Sequence, residues 1–166
     1  IKSGMIDTVA TDHCPFQSYE KDWGKDDFTK IPGGLPGVQT RGTLLYTYGV
    51  KEGRITQEQM CKLLSENPAK LYGVYPQKGV LAPESDADIV VLDPEKESVI
   101  SAATHAYNTD NNPFEGFRLR CGIDKVFLRA IISFSEPVIK CTSASTFLPF
   151  LPIGFFTTFP LSILKL

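Results

Sequence analysis

The residues best placed to do chemistry are Asp12 and His13, which follow the β-favouring run Ile6-Asp7-Thr8-Val9-Ala10 in a polar cluster with Thr11, Cys14 and Pro15. A carboxylate directly after a buried strand can bind a metal ion or move a proton, so Asp12 is the first candidate and His13 the second. Barrels of alternating strands and helices carry their catalytic groups at that position, at the C-terminal ends of strands. Taken alone, an Asp-His pair in a loop is more often structural than catalytic, because active sites are a small share of polar loops. The chain holds two histidines, His13 and His105, and no His-x-His pair. Its four cysteines, Cys14, Cys61, Cys121 and Cys141, are scattered without a Cys-x-x-Cys pair. They read as reduced thiols of a cytoplasmic protein, not as a disulfide framework or a zinc finger.

The elements that must position Asp12 begin with the strand expected over residues 6–10. Residues 15–37 follow, rich in Gly, Pro, Asp and Lys. A loop of that length inside a compact domain is usually functional, here a lid or a binding loop. A helix is expected from about Val38 to Val50, ending near Gly53. Thr56-Gln57-Glu58-Gln59 forms a capping box that opens a second helix, with Met60, Leu63 and Leu64 on one face. Asn67-Pro68 is expected to restart a helical turn, capped by Asn67 and ended by Gly73. Strands are then expected at Gly79-Val80-Leu81, Ala87 to Leu92 and Lys125 to Leu128. A strand–loop–helix–helix block followed by an all-β block reads as the end of one domain and part of a second, divided as 1–75 and 76–130.

The net charge of −2 excludes any strong electrostatic case for nucleic acid or an anionic membrane as partner. Residues 131–166 differ from the rest: three of the chain's 36 charges and six of its eleven phenylalanines lie there. The run from Phe147 to Leu164 is long enough to span a bilayer, but Pro149, Pro152 and Pro160 make a regular helix costly. That tail is expected not to belong to the fold formed by the rest. The chain opens on Ile1-Lys2-Ser3-Gly4-Met5 with no signal peptide, as an internal segment would.

A wider pattern makes the Asp-His pair specific. Ile6 to Phe16 is followed by Lys25-Asp-Asp-Phe-Thr-Lys-Ile-Pro-Gly33-Gly34-Leu-Pro-Gly-Val-Gln-Thr-Arg41. Then come Asn67-Pro-Ala-Lys-Leu-Tyr-Gly73, Lys78-Gly79, Ser85 to Asp93, and Asn112-Pro-Phe-Glu-Gly116. In this order and spacing, over about residues 5–130, the chain closely resembles the hydantoinases and dihydropyrimidinases among the metal-dependent amidohydrolases. The resemblance implies an α/β fold: the C-terminal end of a (β/α)8 barrel, with its last strand and following helices, plus part of a flanking β-sandwich. It implies a homotetrameric parent enzyme with a binuclear metal centre, usually zinc, bridged by a carboxylated lysine. A metal-activated hydroxide attacks a ring amide of a small cyclic substrate. By motif match Asp12 is both the metal-binding and the proton-transferring aspartate. The family's Ile-Pro-Asn-Gly substrate loop matches Gly33 and Gly34, with Gly33 at the Asn position, so backbone contacts carry over and a side-chain contact does not. Gln39 stands where the family often has Glu. His13 and Cys14 match the family without an assigned chemical role and read as supporting or packing residues. His105 reads as structural; Tyr19 and Trp23 could line a pocket or simply pack.

The same resemblance implies a deficit. The family draws ligands from a His-x-His pair, the bridging lysine and two further histidines, none of which matches a residue here. At 166 residues the chain is also shorter than the roughly 250 of such a barrel. It is therefore expected to be a C-terminal fragment that is inactive alone and binds no stoichiometric zinc. Two other readings stand beside a cyclic-amide hydrolase. One is a non-enzymatic relative like the collapsin response mediator proteins, which typically lack the aspartate present here as Asp12. The other is a dihydroorotase or allantoinase, against which the Asp26-Asp27-Phe28-Thr29-Lys30-Ile31-Pro32 loop favours the hydantoinase branch.

Overall fold

A valine- and isoleucine-rich strand between two proline-containing turns should be buried on both faces, and Ile89–Asp93 (β1) is: Val90, Val91 and Leu92 are all buried. In this computed structural model, which describes residues 1–135 and 162–165, β1 lies inside a four-stranded sheet of order β5-β4-β1-β6. It pairs antiparallel with β4 (Gly122–Leu128), with a bulge between Val91 and Leu92, and in parallel with β6 (Ser162–Lys165). β4 turns into β5 (Ile131–Ser135) through Arg129 and Ala130, both at positive φ (51° and 65°). Two such residues are what a tight hairpin with the right twist requires. Asp88 Oδ1 and the Ala87 carbonyl hold that turn by accepting from the Arg129 and Ala130 amides. Two short strands, β2 (Ser98–Val99) and β3 (Arg118–Leu119), pair separately.

The first five residues of the segment set apart in sequence, 131–135, are thus backbone of the sheet, as are 162–165. The proline-punctuated run between them lies outside the described residues. Among the described residues no helix is long and apolar enough to cross a membrane.

Before the sheet, α1 (Ser18–Lys21) is a single turn in the long loop. Helix α2 (Arg41–Leu44) continues as a π-helical stretch over Leu45–Val50, and Gly53 follows at φ 67°. The capping box forms as expected: Gln59 N–H donates to Thr56 Oγ1 at 3.2 Å, and Thr56 N–H to Gln59 Oε1 at 2.9 Å. Helix α3 (Gln57–Cys61) does not stop at Asn67. It passes through a π stretch, Lys62–Glu66, directly into α4 (Asn67–Leu71), and Asn67 is itself helical. Proline inside a helix lacks an N–H and clashes with the carbonyl four residues back, so the helix widens ahead of Pro68 instead of breaking. Asn67 N–H reaches back five residues to the Lys62 carbonyl.

Two expected strands are absent. Residues 6–10 form no ladder here, and helix residues hold the backbone of Val9. Val9 N–H donates to the Leu63 carbonyl (3.3 Å), and Arg41 Nη1 donates to the Val9 carbonyl (3.3 Å). Gly79-Val80-Leu81 is a bend leading into irregular backbone, with Gly79 at φ 88° so close to the helix that a Cβ would sit 2.6 Å from the Ala69 Cβ.

The core joins both halves of the chain. Tyr46, Met60, Leu63 and Leu64 from the helical region and Ile55 from the turn between them pack in one cluster with Val90 and Leu92 of β1 and Cys121 just before β4. Thr47, also buried, closes the seam: its Oγ1 accepts the Arg120 N–H at 3.0 Å. Thr47→Val keeps the shape but leaves that amide without its acceptor, so it should destabilise the fold by about 1–3 kcal/mol, read as a lower urea midpoint.

Lys78 bridges Asp86 (2.9 Å) and the buried Asp88, tying the turn after α4 to the start of β1. Its hydrogen bond holds the Asp86 carboxyl below the ordinary carboxylate range. Burial opposes the Lys78 ammonium, but its bonds to Asp88 and Asp86 outweigh that and raise its pKa. The Asp86 contribution is present above the ordinary carboxylate pKa and lost as pH falls through its depressed value. The Lys78 contribution is present at and below the ordinary lysine range and lost as pH rises beyond it. Urea unfolding as a function of pH should show Lys78→Met less stable at neutral pH, with the difference from the parent shrinking on acidification below the carboxylate range.

Candidate active site

Asp12 stands at φ 44°, the left-handed region that β-carbon residues rarely occupy, and its side chain is exposed. No hydrogen bond or ion pair is made by its carboxylate among the described residues. The segment leading to it is fixed from two sides, by the Val9 bonds to Leu63 and Arg41 and by the Asn67 side-chain amide donating to the Asp7 carbonyl (2.8 Å). Next to Asp12, the buried Thr11 hydroxyl has no hydrogen-bond partner. A strained backbone, a free carboxylate and an orphaned hydroxyl in two consecutive residues mark a place where packing has not been optimised for stability.

The His13 ring is held by loop amides. Its Nδ1 accepts from the Gly37 amide at 3.0 Å and the Val38 amide at 3.4 Å, which assigns the proton to Nε2. The ring lies 4.7 Å from that of Tyr107, and Tyr107 lies 4.8 Å from His105. Burial lowers the His13 pKa, in keeping with a neutral imidazole used as an acceptor. His105 is held by the Thr109 carbonyl (2.8 Å) and the Asn112 side-chain amide (3.3 Å), a structural arrangement.

Gly33 and Gly34, the expected substrate residues, differ in what they tolerate. Gly34 has φ 141°, and a Cβ there would fall 2.3 Å from the Cys14 carbonyl oxygen, so only glycine fits. That contact brings the loop against the residue two positions after Asp12, and the Cys14 amide donates to the Leu35 carbonyl at 3.2 Å. Gly33 is exposed, and a Cβ there meets nothing within 4 Å. Its glycine is therefore not required by close approach; a side chain would be accommodated.

The long loop is pinned, not free to swing. Gln17, Ser18 and the Phe16 carbonyl bond to Asn108, Asp110 and Asn111, with distances of 2.6 to 3.1 Å. The Gln39 backbone N–H donates to the Tyr107 hydroxyl, and its side-chain Oε1 accepts from the Ala106 backbone N–H at 2.8 Å. A glutamate at this position could accept the same bond, so Gln39 keeps that anchoring role. The segment 105–112 is thus part of the site's frame. Nothing in its sequence signals contact with residues some ninety positions away. Trp23 and Tyr19 are exposed (61% and 65%). A groove of about 1170 Å³, lined by Val9, Ala10, Leu44, Leu45, Tyr48 and Phe117 among others, lies beside the Asp12 segment without including Asp12, Gly33 or Gly34.

Among the described residues no three His, Cys, Asp or Glu side chains come together as metal ligands. The donors present therefore do not fit a binuclear centre; Asp12 offers one carboxylate to such a site.

A family model for the amidohydrolase family matches residues 1–131. The chain belongs to the amidohydrolase family. D-phenylhydantoinase of Escherichia coli O139:H28 is 43% identical over 137 residues, which is 82% of this chain and 30% of that protein. Among solved structures, a D-hydantoinase (dihydropyrimidinase) from Thermus sp. superposes with a TM-score of 0.79 at 44% identity, covering 81% of this chain and 29% of its own. An L-hydantoinase (dihydropyrimidinase) from Arthrobacter aurescens does so with 0.72 at 31% identity, covering 81% and 30%. The chain spans about a third of the length of these relatives. In this amidohydrolase chain the two glycines should separate cleanly. Gly34→Ala should cost about 1–3 kcal/mol and move the Cys14 and Leu35 amide shifts, whereas Gly33→Ala should leave both stability and those shifts close to the parent's.

Proposed function

We propose that this chain is the C-terminal part of a cyclic-amide hydrolase of the hydantoinase and dihydropyrimidinase type. In this reading residues 1–75 close a (β/α)8 barrel and 76–130 enter the flanking sandwich, with zinc as the metal of the completed site. The observation that carries the reading is Asp12. It is a free, exposed carboxylate on strained backbone, next to a glycine loop that packs against Cys14. A group so placed can accept a proton from an attacking water and hand it to the leaving ring nitrogen. The exposed Gly33 backbone is the companion surface for the ring. The apolar groove beside Val9 and Ala10 is then the face that the rest of the barrel covers, and residues 6–10 take up a strand ladder only against those neighbours.

By itself the chain should hold less than one zinc per molecule after dialysis and should not turn over dihydrouracil or hydantoin; two bound metals, or turnover, would overturn the reading of it as an incomplete site. Joined in frame to the upstream part of the E. coli D-phenylhydantoinase, it should complete a hydrolase active on dihydrouracil or hydantoins. In that protein Asp12→Asn should lower kcat by about 10²–10⁴-fold. Activity on dihydroorotate but not on dihydrouracil would move the assignment to another branch of the family.

A further inference from the structure

The loop that carries Gly33 is held by a residue that motif reading did not single out. Lys21 ends α1, a turn fixed at its start by the Glu20 carboxylate, which accepts the Gln17 amide at 2.7 Å, and by Asp110, which accepts from Ser18. From this base the Lys21 ammonium donates to the carbonyls of Pro32 and Gly34, the latter at 2.8 Å, and lies 5.0 Å above the Phe16 ring. A compact ammonium with three donors can converge on two carbonyls two residues apart while its remaining side faces an aromatic ring. At the other end of the loop, His13 Nδ1 takes the Gly37 and Val38 amides, and the Cys14 amide takes the Leu35 carbonyl. Along Pro32–Gly37 the carbonyls of Pro32, Gly34, Leu35 and Gly37 are therefore engaged within the protein. Among the described residues, the N–H and C=O of Gly33 and the N–H of Gly34 make no such bond.

We propose that Lys21 is the positioning residue of the Gly33–Gly34 subsite. By binding the carbonyls on either side of Gly33, it leaves the Gly33 peptide as the loop's open donor and acceptor. One N–H and one C=O side by side complement the C=O and N–H of a ring amide, so the subsite favours a neutral amide over a carboxylate. This inference rests on the reading of Gly33 and Gly34 as ligand-facing. It adds Lys21 as the group that sets their pairing pattern.

The test is a titration of the isotope-labelled full-length chain with hydantoin, followed by NMR at millimolar concentrations. The parent should show hydantoin-dependent shifts at the Gly33 and Gly34 amides. Lys21→Met, which keeps the aliphatic stem, should weaken that binding by about tenfold or more, while the Tyr46, Leu63 and Val90 amides and the urea midpoint stay as in the parent. Lys21→Arg, which retains paired donors, should restore binding. Unchanged hydantoin shifts in Lys21→Met would overturn the role of Lys21 and leave the proposed function standing. No hydantoin shifts at Gly33 and Gly34 in the parent would overturn the subsite itself, and this inference with it. Should Lys21→Met not fold, the parent alone decides the question: scalar coupling from Lys21 Nζ to the Pro32 and Gly34 carbonyls supports the clamp, and its absence overturns it.

Discussion

The position of Asp12 depends on a carbonyl that a helix gives up. Pro68 has no N–H, and the Asn67 N–H reaches past Leu63 to the Lys62 carbonyl. The Leu63 carbonyl is thereby left to accept from Val9, and the Asn67 side chain adds a second tie to Asp7. An ordinary α-helical register would use that carbonyl internally. A helix irregularity of this kind often sits near functional residues because it offers a polar group where a regular helix offers none. Each such bond is worth only about 0.5–1.5 kcal/mol net, yet together they set where the chain leaves the core.

What leaves the core is then clamped from a third direction. The tilted ring contacts of His13, Tyr107 and His105, with Gln39 and Gln17 beside them, join the Asp12 segment and its loop to residues 105–112. These contacts use polar atoms in exposed or half-buried surroundings. They fix geometry more than they add stability, which comes from the shared helix–sheet cluster around Met60 and Leu92. Gly34 and Asp12 show the cost: one position admits no side chain, and the other holds a side chain where glycine is favoured.

Much of the fold was legible because local chemistry dictates it. The Thr56–Gln59 capping box, the glycine ends at Gly53 and Gly73, and the buried run of β1 follow from capping, backbone freedom and hydrophobicity that each short segment carries within itself. The misread elements were those whose state depends on partners elsewhere. Residues 6–10 have strand composition, but a strand exists only through its ladder, and helices take the bonds of Val9. Asn67-Pro68 has the form of a helix start, but packing of Leu63 and Leu64 into the core favours carrying the helix through with a widened turn.

For the site, the sequence by itself named the candidates, the Asp12 carboxylate and the backbone of Gly33 and Gly34, and carried the ordered motifs that place the chain in its family. Only the tertiary structure decided how those residues are held. It made His13 an acceptor for loop amides and Gly34 obligatory against Cys14. It also recruited Lys21 and residues 105–112 as the frame. The reason is physical: a reactive group announces itself by its own chemistry, whereas a positioning group is an ordinary residue until folding brings its partner within hydrogen-bond reach.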